Sequence, residues 1–244
     1  MRLYLVRHGQ STGNLGDALV GQSDHPLSEL GRAQAEAVAR ALAPHGPMDV
    51  YTSDLPRAVA TAERILAAWS LRDTPGGLLD AAVGRRPRLV PDPRLREINL
   101  GEYEGRPWRE FAGDEGLAAA LAADPLGTVV PGGESLAQLQ ERVLAALADV
   151  LAAGGEHLPG LPQRPLAAAS AEASGMRSRA PRRAACVVTH DGPLRAIVNH
   201  LLAVPAGHWW TVTTSHAGIS VVDVADGVAS IRALNCTAHL EGVA

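Results

Sequence analysis

Apolar and polar positions along the chain alternate with two periods. Short runs rich in Val, Ile and Tyr at 2–6, 48–52, 185–189, 219–224 and 228–232 predict strands. Between them the period lengthens to that of a helix. The stretch LSELGRAQAEAVARALAPHG at 27–46 places Leu30, Ala33, Ala37, Val38 and Leu42 on one face, with Ser28 as N-cap. DLPRAVATAERILAAW at 54–69 opens on Asp54, carries Pro56 in its first turn and runs apolar through Val59, Ala62, Ile65 and Leu66. ESLAQLQERVLAALADVLA at 134–152 starts with a capping box, Ser135 and Gln138. GPLRAIVNHLLAV at 192–204 follows a strand directly. Strands alternating with helices predict an α/β fold whose sheet is largely parallel and covered on both faces.

Two stretches break this rhythm. Residues 71–93 are rich in Gly, Pro and Arg, and residues 152–184 are low in complexity without an apolar period. Both read as excursions from one domain spanning 1–244, the second a mobile one. Its Arg177, Arg179, Arg182 and Arg183 read as a solvated linker before they read as a contact for an anionic partner.

Composition narrows the classes. Apolar content of 46% and a net charge of −4 are those of an ordinary globular chain, and the acidity argues against a nucleic-acid partner. Every one of the 22 basic residues is arginine, so an anion site must be built from Arg, His and backbone N–H groups. No apolar run is long enough for a membrane span, and the chain starts at once on strand-like MRLYLV, so a cytoplasmic protein without a leader is the expectation. Cys186 reads as a small hydrophobe in the run AACVVT, and with Cys236 it forms neither a metal pattern nor a disulfide framework.

The unusual residues stand at the carboxyl ends of predicted strands. Strand 2–6 ends in Arg7-His8-Gly9, strand 48–52 leads into a helix with Arg57 in its first turn, and strand 185–189 ends in Thr189-His190-Asp191-Gly192. In open parallel sheets ligands bind beyond those ends. Two arginines, two histidines and two helix N-termini can therefore meet at one anion site. Each has a plainer reading alone: Arg7 a surface charge, His8 a satisfied histidine, Arg57 an ion pair with Glu63 or Glu36, His190 a helix cap.

The motifs go further. LVRHGQSTGN at 5–14 resembles the signature of the histidine phosphatase superfamily, with its phosphoglycerate-mutase-like fold. GQSDHPLSELGRAQA, YTSDLPRAVATAERI, LREINLGEYEGRPWREF, PGGESLAQLQERV and VVTHDGPLRAIVNHLL resemble the family's later blocks, in family order. The resemblance implies a three-layer α/β/α sandwich with a mostly parallel sheet and an antiparallel edge strand, here 228–232 after the ADG turn. It implies His8 as the nucleophile that becomes phosphorylated, Arg7, Arg57 and a protonated His190 as holders of the phosphoryl group, and Glu97 as general acid and then base. Glu102 and Glu104 share the loop of Glu97; Glu104, followed by Gly105, reads as a turn residue ahead of a helix near 107–112. The resemblance also implies Asn14, Gln22 and the backbone of Gly192 as secondary phosphate or substrate contacts. The nucleophilic histidine needs its other ring nitrogen protonated, which a nearby main-chain carbonyl would ensure. No metal or other cofactor is implied.

Three positions depart from the family pattern: Gly13 where Trp is frequent, Val20 where many phosphatases have Gln, and Asp191 where Gly follows the second histidine. REINLGEYEG has the phosphatase form, where the mutase branch has E-R-H-Y-G with further basic residues. The expectation is a phosphoric monoester hydrolase of the histidine acid phosphatase type, acting on a small phosphorylated metabolite such as a sugar phosphate, a phosphoglycerate derivative or a cofactor-precursor phosphate. A cofactor-dependent phosphoglycerate mutase and a non-catalytic phospho-ligand binder are the alternatives. A homodimer is possible in such a family. Trp209 and Trp210 either line the mouth of the site or pack, packing being the plainer reading.

Overall fold

The computed structural model describes residues 1–70, 86–162 and 183–243. In chain order the elements are β1 (Arg2–Arg7), α1 (Glu29–Leu42), β2 (Asp49–Thr52), α2 (Pro56–Ser70), β3 (Leu89–Pro91), α3 (Trp108–Ala112), α4 (Glu115–Ala123), α5 (Leu136–Ala153), β4 (Ala184–Thr189), α6 (Asp191–Leu201), β5 (Ile219–Ala225) and β6 (Val228–Cys236). The six strands form one sheet in the order β3-β2-β4-β1-β5-β6.

Period-two alternation explains the layers. In β1, Leu3 and Leu5 join Ala185 and Val187 of β4 against α5 and α6. Tyr4 and Val6 join Cys186 and Val188 against α1 and α2 on the other face. Each strand thus feeds both cores, and the molecule is the three-layer α/β/α sandwich expected. Cys186 packs as a hydrophobe: it is fully buried, and burial pushes its thiol pKa up.

Strands β1 to β4 run parallel, with Arg7 beside Thr189 and Thr52 beside Val188. Their carboxyl ends are therefore level. The edge strand expected at 228–232 is present as β6 and pairs antiparallel with β5, while the strand reversed relative to β1 is β5 itself. Asp226 and Gly227 both have positive φ (52° and 76°), the geometry of a tight hairpin turn, so β6 reverses again and runs with β1. One result is that β5 begins where β1 ends.

Helix ends follow their caps. Ser28 accepts from the N–H of Gly31 at 3.0 Å, and Ser135 and Gln138 form their reciprocal pair. α1 stops at Leu42 and tightens into a 3-10 turn at Ala43–His45, short of the span expected to 46. Its buried stripe runs through Gly31, Ala35, Ala37, Val38, Ala39 and Leu42, while Ala33 is exposed and Leu30 only half-buried. The 192–204 helix similarly starts at Asp191 and ends at Leu201. Within the first excursion, β3 adds a short strand to the sheet edge; positions 71–85 lie outside the described residues, as do 163–182 of the second. α4 was not expected, because EGLAAALAA is so uniformly apolar that it carries no face. With α3 and the loops beside it, α4 builds a third small core of Tyr103, Leu117 and Val130, with Leu100, Phe111 and Leu121 packed on it. No described helix is long and apolar enough to cross a membrane.

Candidate active site

The level ends of β1, β2 and β4 deliver the predicted residues to one place. His8 follows β1 directly, and its N–H donates to Thr189 O at 2.9 Å, continuing the ladder by one residue. Its ring is buried, with Nδ1 donating to Gly9 O at 2.6 Å. That bond sets the tautomer, leaving the lone pair on Nε2. Burial, then Arg7 and Arg57, hold its pKa well below the usual histidine value, so the ring is neutral near pH 7. Gly9 permits the arrangement sterically. A β-carbon there would collide with the carbonyl of Gly31, and one at Gly31 with the carbonyl of Gln10.

Arg57, in the first turn of α2, is buried and donates to the carbonyls of Ser23 (2.9 Å) and Gly21 (2.7 Å). It therefore clamps the 21–23 loop; the pair with Glu36 belongs to Arg64 instead. Arg7 donates to Thr214 O at 2.8 Å and lies 3.8 Å from Asp191 Oδ1. Asp191 thus points inward, where it also accepts from Arg195 Nε (2.8 Å) and the hydroxyl of Thr214.

His190 follows β4 at the N-cap position of α6, but its side chain makes no capping bond. Its ring centroid is 4.8 Å from that of His8. It is fully buried, off the cavity lining, with Nε2 sharing a hydrogen bond of 2.8 Å with Ser53 Oγ. Burial first, then His8, Arg57 and Arg7, push its pKa well down, so the protonated donor expected from the sequence is neutral here. Nδ1 of His190, Nε of Arg7 and Nε2 of His216 are buried polar atoms without a partner among the described residues, and both of these histidine rings lie beside His8.

Glu97 faces this group across a cavity of about 520 Å³ whose lining includes His8, Arg7, Arg57, Asn14, Asp191 and Gly192. Its carboxylate accepts from the N–H groups of Ile98 (3.0 Å), Asp191 (3.1 Å) and Gly192 (3.0 Å). Burial and the neighbouring Asp191 carboxylate nonetheless raise its pKa above the usual range, against the pull of those bonds and of Arg7. Gly192, expected to contact phosphate, spends its N–H on Glu97, and a β-carbon there would press on the same carboxylate. Gln22, unlike Gly192, does not line the cavity: its side-chain amide donates to Glu97 O at 3.0 Å. It is a brace because its own N–H is tied down by Glu104. Glu104 also accepts from Ser23 and Leu100, and Glu102 is exposed, which leaves Glu97 as the loop's carboxyl in the cavity. Asn14 lines the cavity with Oδ1 tied to Ser11, keeping its NH₂ group free of that bond. The two tryptophans divide: both line the cavity, Trp209 buried and Trp210 exposed under the guanidinium of Arg195.

Several contributors escaped the sequence reading. Arg142 of α5 donates to the carbonyls of Arg94 (2.8 Å), Arg96 (2.7 Å) and Glu97 (2.9 Å), and pairs with Glu134. Asp54 holds Arg96 through two bonds, and Thr189 Oγ1 donates to Leu95 O at 2.6 Å. Thr61 links Gly9 N–H to the Arg57 carbonyl. Arg142 and Glu134 sit within the block PGGESLAQLQERV, so a signal existed for them. His216, its ring 5.5 Å from His8 and its pKa lowered to about 4 by burial, gave none. Among the described residues, no cluster of three or more His, Cys, Asp or Glu could hold a metal ion.

Known proteins resemble this chain in sequence and in fold. Residues 3–237 match the family described as Histidine phosphatase superfamily (branch 1). A relative from Yersinia enterocolitica named "Probable phosphoglycerate mutase GpmB" is 35% identical over 148 residues, 60% of this chain and 61% of the relative. The aligned part thus spans less than two thirds of the curated relatives' length. A mycobacterial glucosyl-3-phosphoglycerate phosphatase, solved in complex with VO3, superposes with a TM-score of 0.69 at 27% identity, over 97% of this chain and 99% of that one. The alpha-ribazole phosphatase from Shigella flexneri shares the fold, with a TM-score of 0.70 at 22% identity over 97% and 96% of the two chains.

Proposed function

This chain belongs to the histidine phosphatase superfamily, branch 1, and from that premise we propose that it is a phosphomonoester hydrolase working through a phosphohistidine on a small phosphorylated metabolite. One observation carries the reading. A buried, neutral imidazole with its tautomer set by Gly9 O shares a cavity with two guanidinium groups and a carboxyl whose pKa is raised.

Each group has a task. His8 Nε2 attacks phosphorus as the ester P–O bond breaks, and the electron pair leaves on the alcohol oxygen. Protonated Glu97 gives that oxygen its proton and becomes a carboxylate. Arg7 and Arg57 neutralise the equatorial oxygens, the main requirement of phosphoryl transfer. An arriving phosphate would also favour the imidazolium of His190, supplying a proton donor that the unliganded site lacks. In the second half water attacks phosphorus and Glu97 takes its proton. The N–P bond then breaks, returning the lone pair to His8 and releasing phosphate.

The mutase reading draws on the name of the curated relatives. Against it, the cationic side chains lining the cavity among the described residues are Arg7 and Arg57, both committed to the phosphoryl end, with none left for a carboxylate. The test is phosphate release in EDTA from a panel of phosphomonoesters, with 3-phosphoglycerate also assayed for conversion to its 2-isomer under a bisphosphate primer. Release from several esters without isomerisation is expected. Isomerisation without release would make the chain a mutase, and tight phosphate binding with neither would make it a binder.

The acid loop has a prediction of its own. Lysine cannot span three carbonyls as the Arg142 fork does, so Arg142→Lys should let Glu97 drift and lower kcat/KM about 10- to 100-fold. Wild-type turnover in a normally folded variant would show that the loop needs no such arch.

A further inference from the structure

The cavity extends well beyond the reacting groups, and its two ends differ in chemistry. The reaction end holds His8, Arg7, Arg57 and Glu97; the remaining wall includes Leu19, Val20, Leu100, Trp108, Phe111 and Trp210. Apart from Asn14, which keeps its NH₂ group, the polar side chains on that wall already have partners. Thr128 Oγ1 donates to the carbonyls of Asp124 (2.7 Å) and Ala120 (2.9 Å). The carboxylate of Glu134 accepts from Asn99 N–H at 2.8 Å and is paired with Arg142. A sugar entering this part would exchange water around its hydroxyls for aliphatic and aromatic carbon, an unmade hydrogen bond at each. A carboxylate would find no guanidinium there among the described residues.

The rim points the same way. Trp108 is 56% exposed and Trp210 68%, and Leu15 and Val129, next in sequence to cavity residues, are 67% and 52% exposed. Large apolar side chains left in water around the mouth of a pocket mark a surface that an apolar ligand covers. Trp108 is held there by stacking on Phe111, with ring centroids 5.3 Å apart.

Resting on the phosphatase reading above, we propose that the alcohol half of the substrate is apolar: the site takes alkyl or aryl phosphomonoesters in preference to phosphorylated polyols or acids. The phosphoryl group sits on the arginines and His8, and the hydrocarbon lies along the wall toward Trp108 and Trp210.

A homologous series of n-alkyl phosphates from ethyl to hexyl tests this, because the leaving alcohol's acidity hardly changes along it while its area does. We expect kcat/KM to rise about fourfold per methylene, equivalent to ~0.8 kcal/mol of burial, until the cavity is filled. Hexyl phosphate should exceed glucose 6-phosphate and 3-phosphoglycerate by at least about tenfold, and Trp108→Ala, at an exposed position, should flatten the slope. A flat series, or a polar ester preferred while phosphate is still released, overturns the proposal and leaves the phosphatase standing. Failure to release phosphate from any ester removes both.

Discussion

His8→Ala is expected to abolish phosphate release, by roughly four orders of magnitude or more, and to leave no trappable phosphoenzyme. The size follows from the role. Without an imidazole, no nitrogen forms the N–P bond, and the remaining arginines can only assist direct attack by water. The intermediate gives the experiment its second readout. A radiolabelled ester quenched at high pH should mark the wild type with an acid-labile, base-stable phosphate, and the variant not at all. The ring fills a small buried volume beside His190 and His216, so the fold of the variant should be checked by near-UV circular dichroism. A folded variant keeping more than about 1% of the rate, or one still labelled, would remove His8 from the chemistry.

The second large effect concerns pH. His8 must be neutral to attack, and its pKa is pushed well below 6.5, so its contribution is lost only as pH falls through that depressed value. Glu97 must be protonated to serve the leaving oxygen, and its pKa is raised above 4.5, so its contribution is lost as pH rises through that elevated value. For the unliganded enzyme the optimum of kcat/KM therefore lies between the depressed value of His8 and the raised value of Glu97. Glu97→Gln should erase the basic limb that belongs to this carboxyl and cost about 10²- to 10⁴-fold with alkyl esters. With nitrophenyl phosphate, whose leaving group needs no proton, the first step should suffer far less. Comparing the two profiles cancels the substrate's own ionisation near pH 6. An unchanged basic limb in Glu97→Gln would exclude Glu97 as the acid. Glu104→Gln should keep the limb, since that carboxylate braces the main chain of Gln22 and Leu100 and does not line the cavity.

Much of this site could be read along the chain because its main parts are strand ends. Arg7-His8 and Thr189-His190 each follow directly on an apolar run, and parallel strands with equal register bring such ends level without further information. Roles within the site were harder to read. Gln22 and Gly192 turned out to hold Glu97, because a carboxylate in a loop without regular structure needs N–H groups and braces from whatever packs beside it. The charge of His190 was likewise invisible, since desolvation depends on burial in three dimensions and not on neighbours in sequence.

The sequence by itself determined the layer order, the strand ends and the anion-binding residue types, because each rests on local periodicity and on which side chains exist at all. Only the tertiary structure decided the remainder. The reversal of β5 carries His216 to the end of β1, since an antiparallel strand starts where its neighbour stops. Arg142 reaches three carbonyls from a helix some 45 residues away in the chain. The apolar length of the cavity comes from α3, α4 and the loops beside them, whose hydrophobic residues had no period to announce which side they would face. Contacts between distant segments depend on where the chain turns in space, and no local pattern records that.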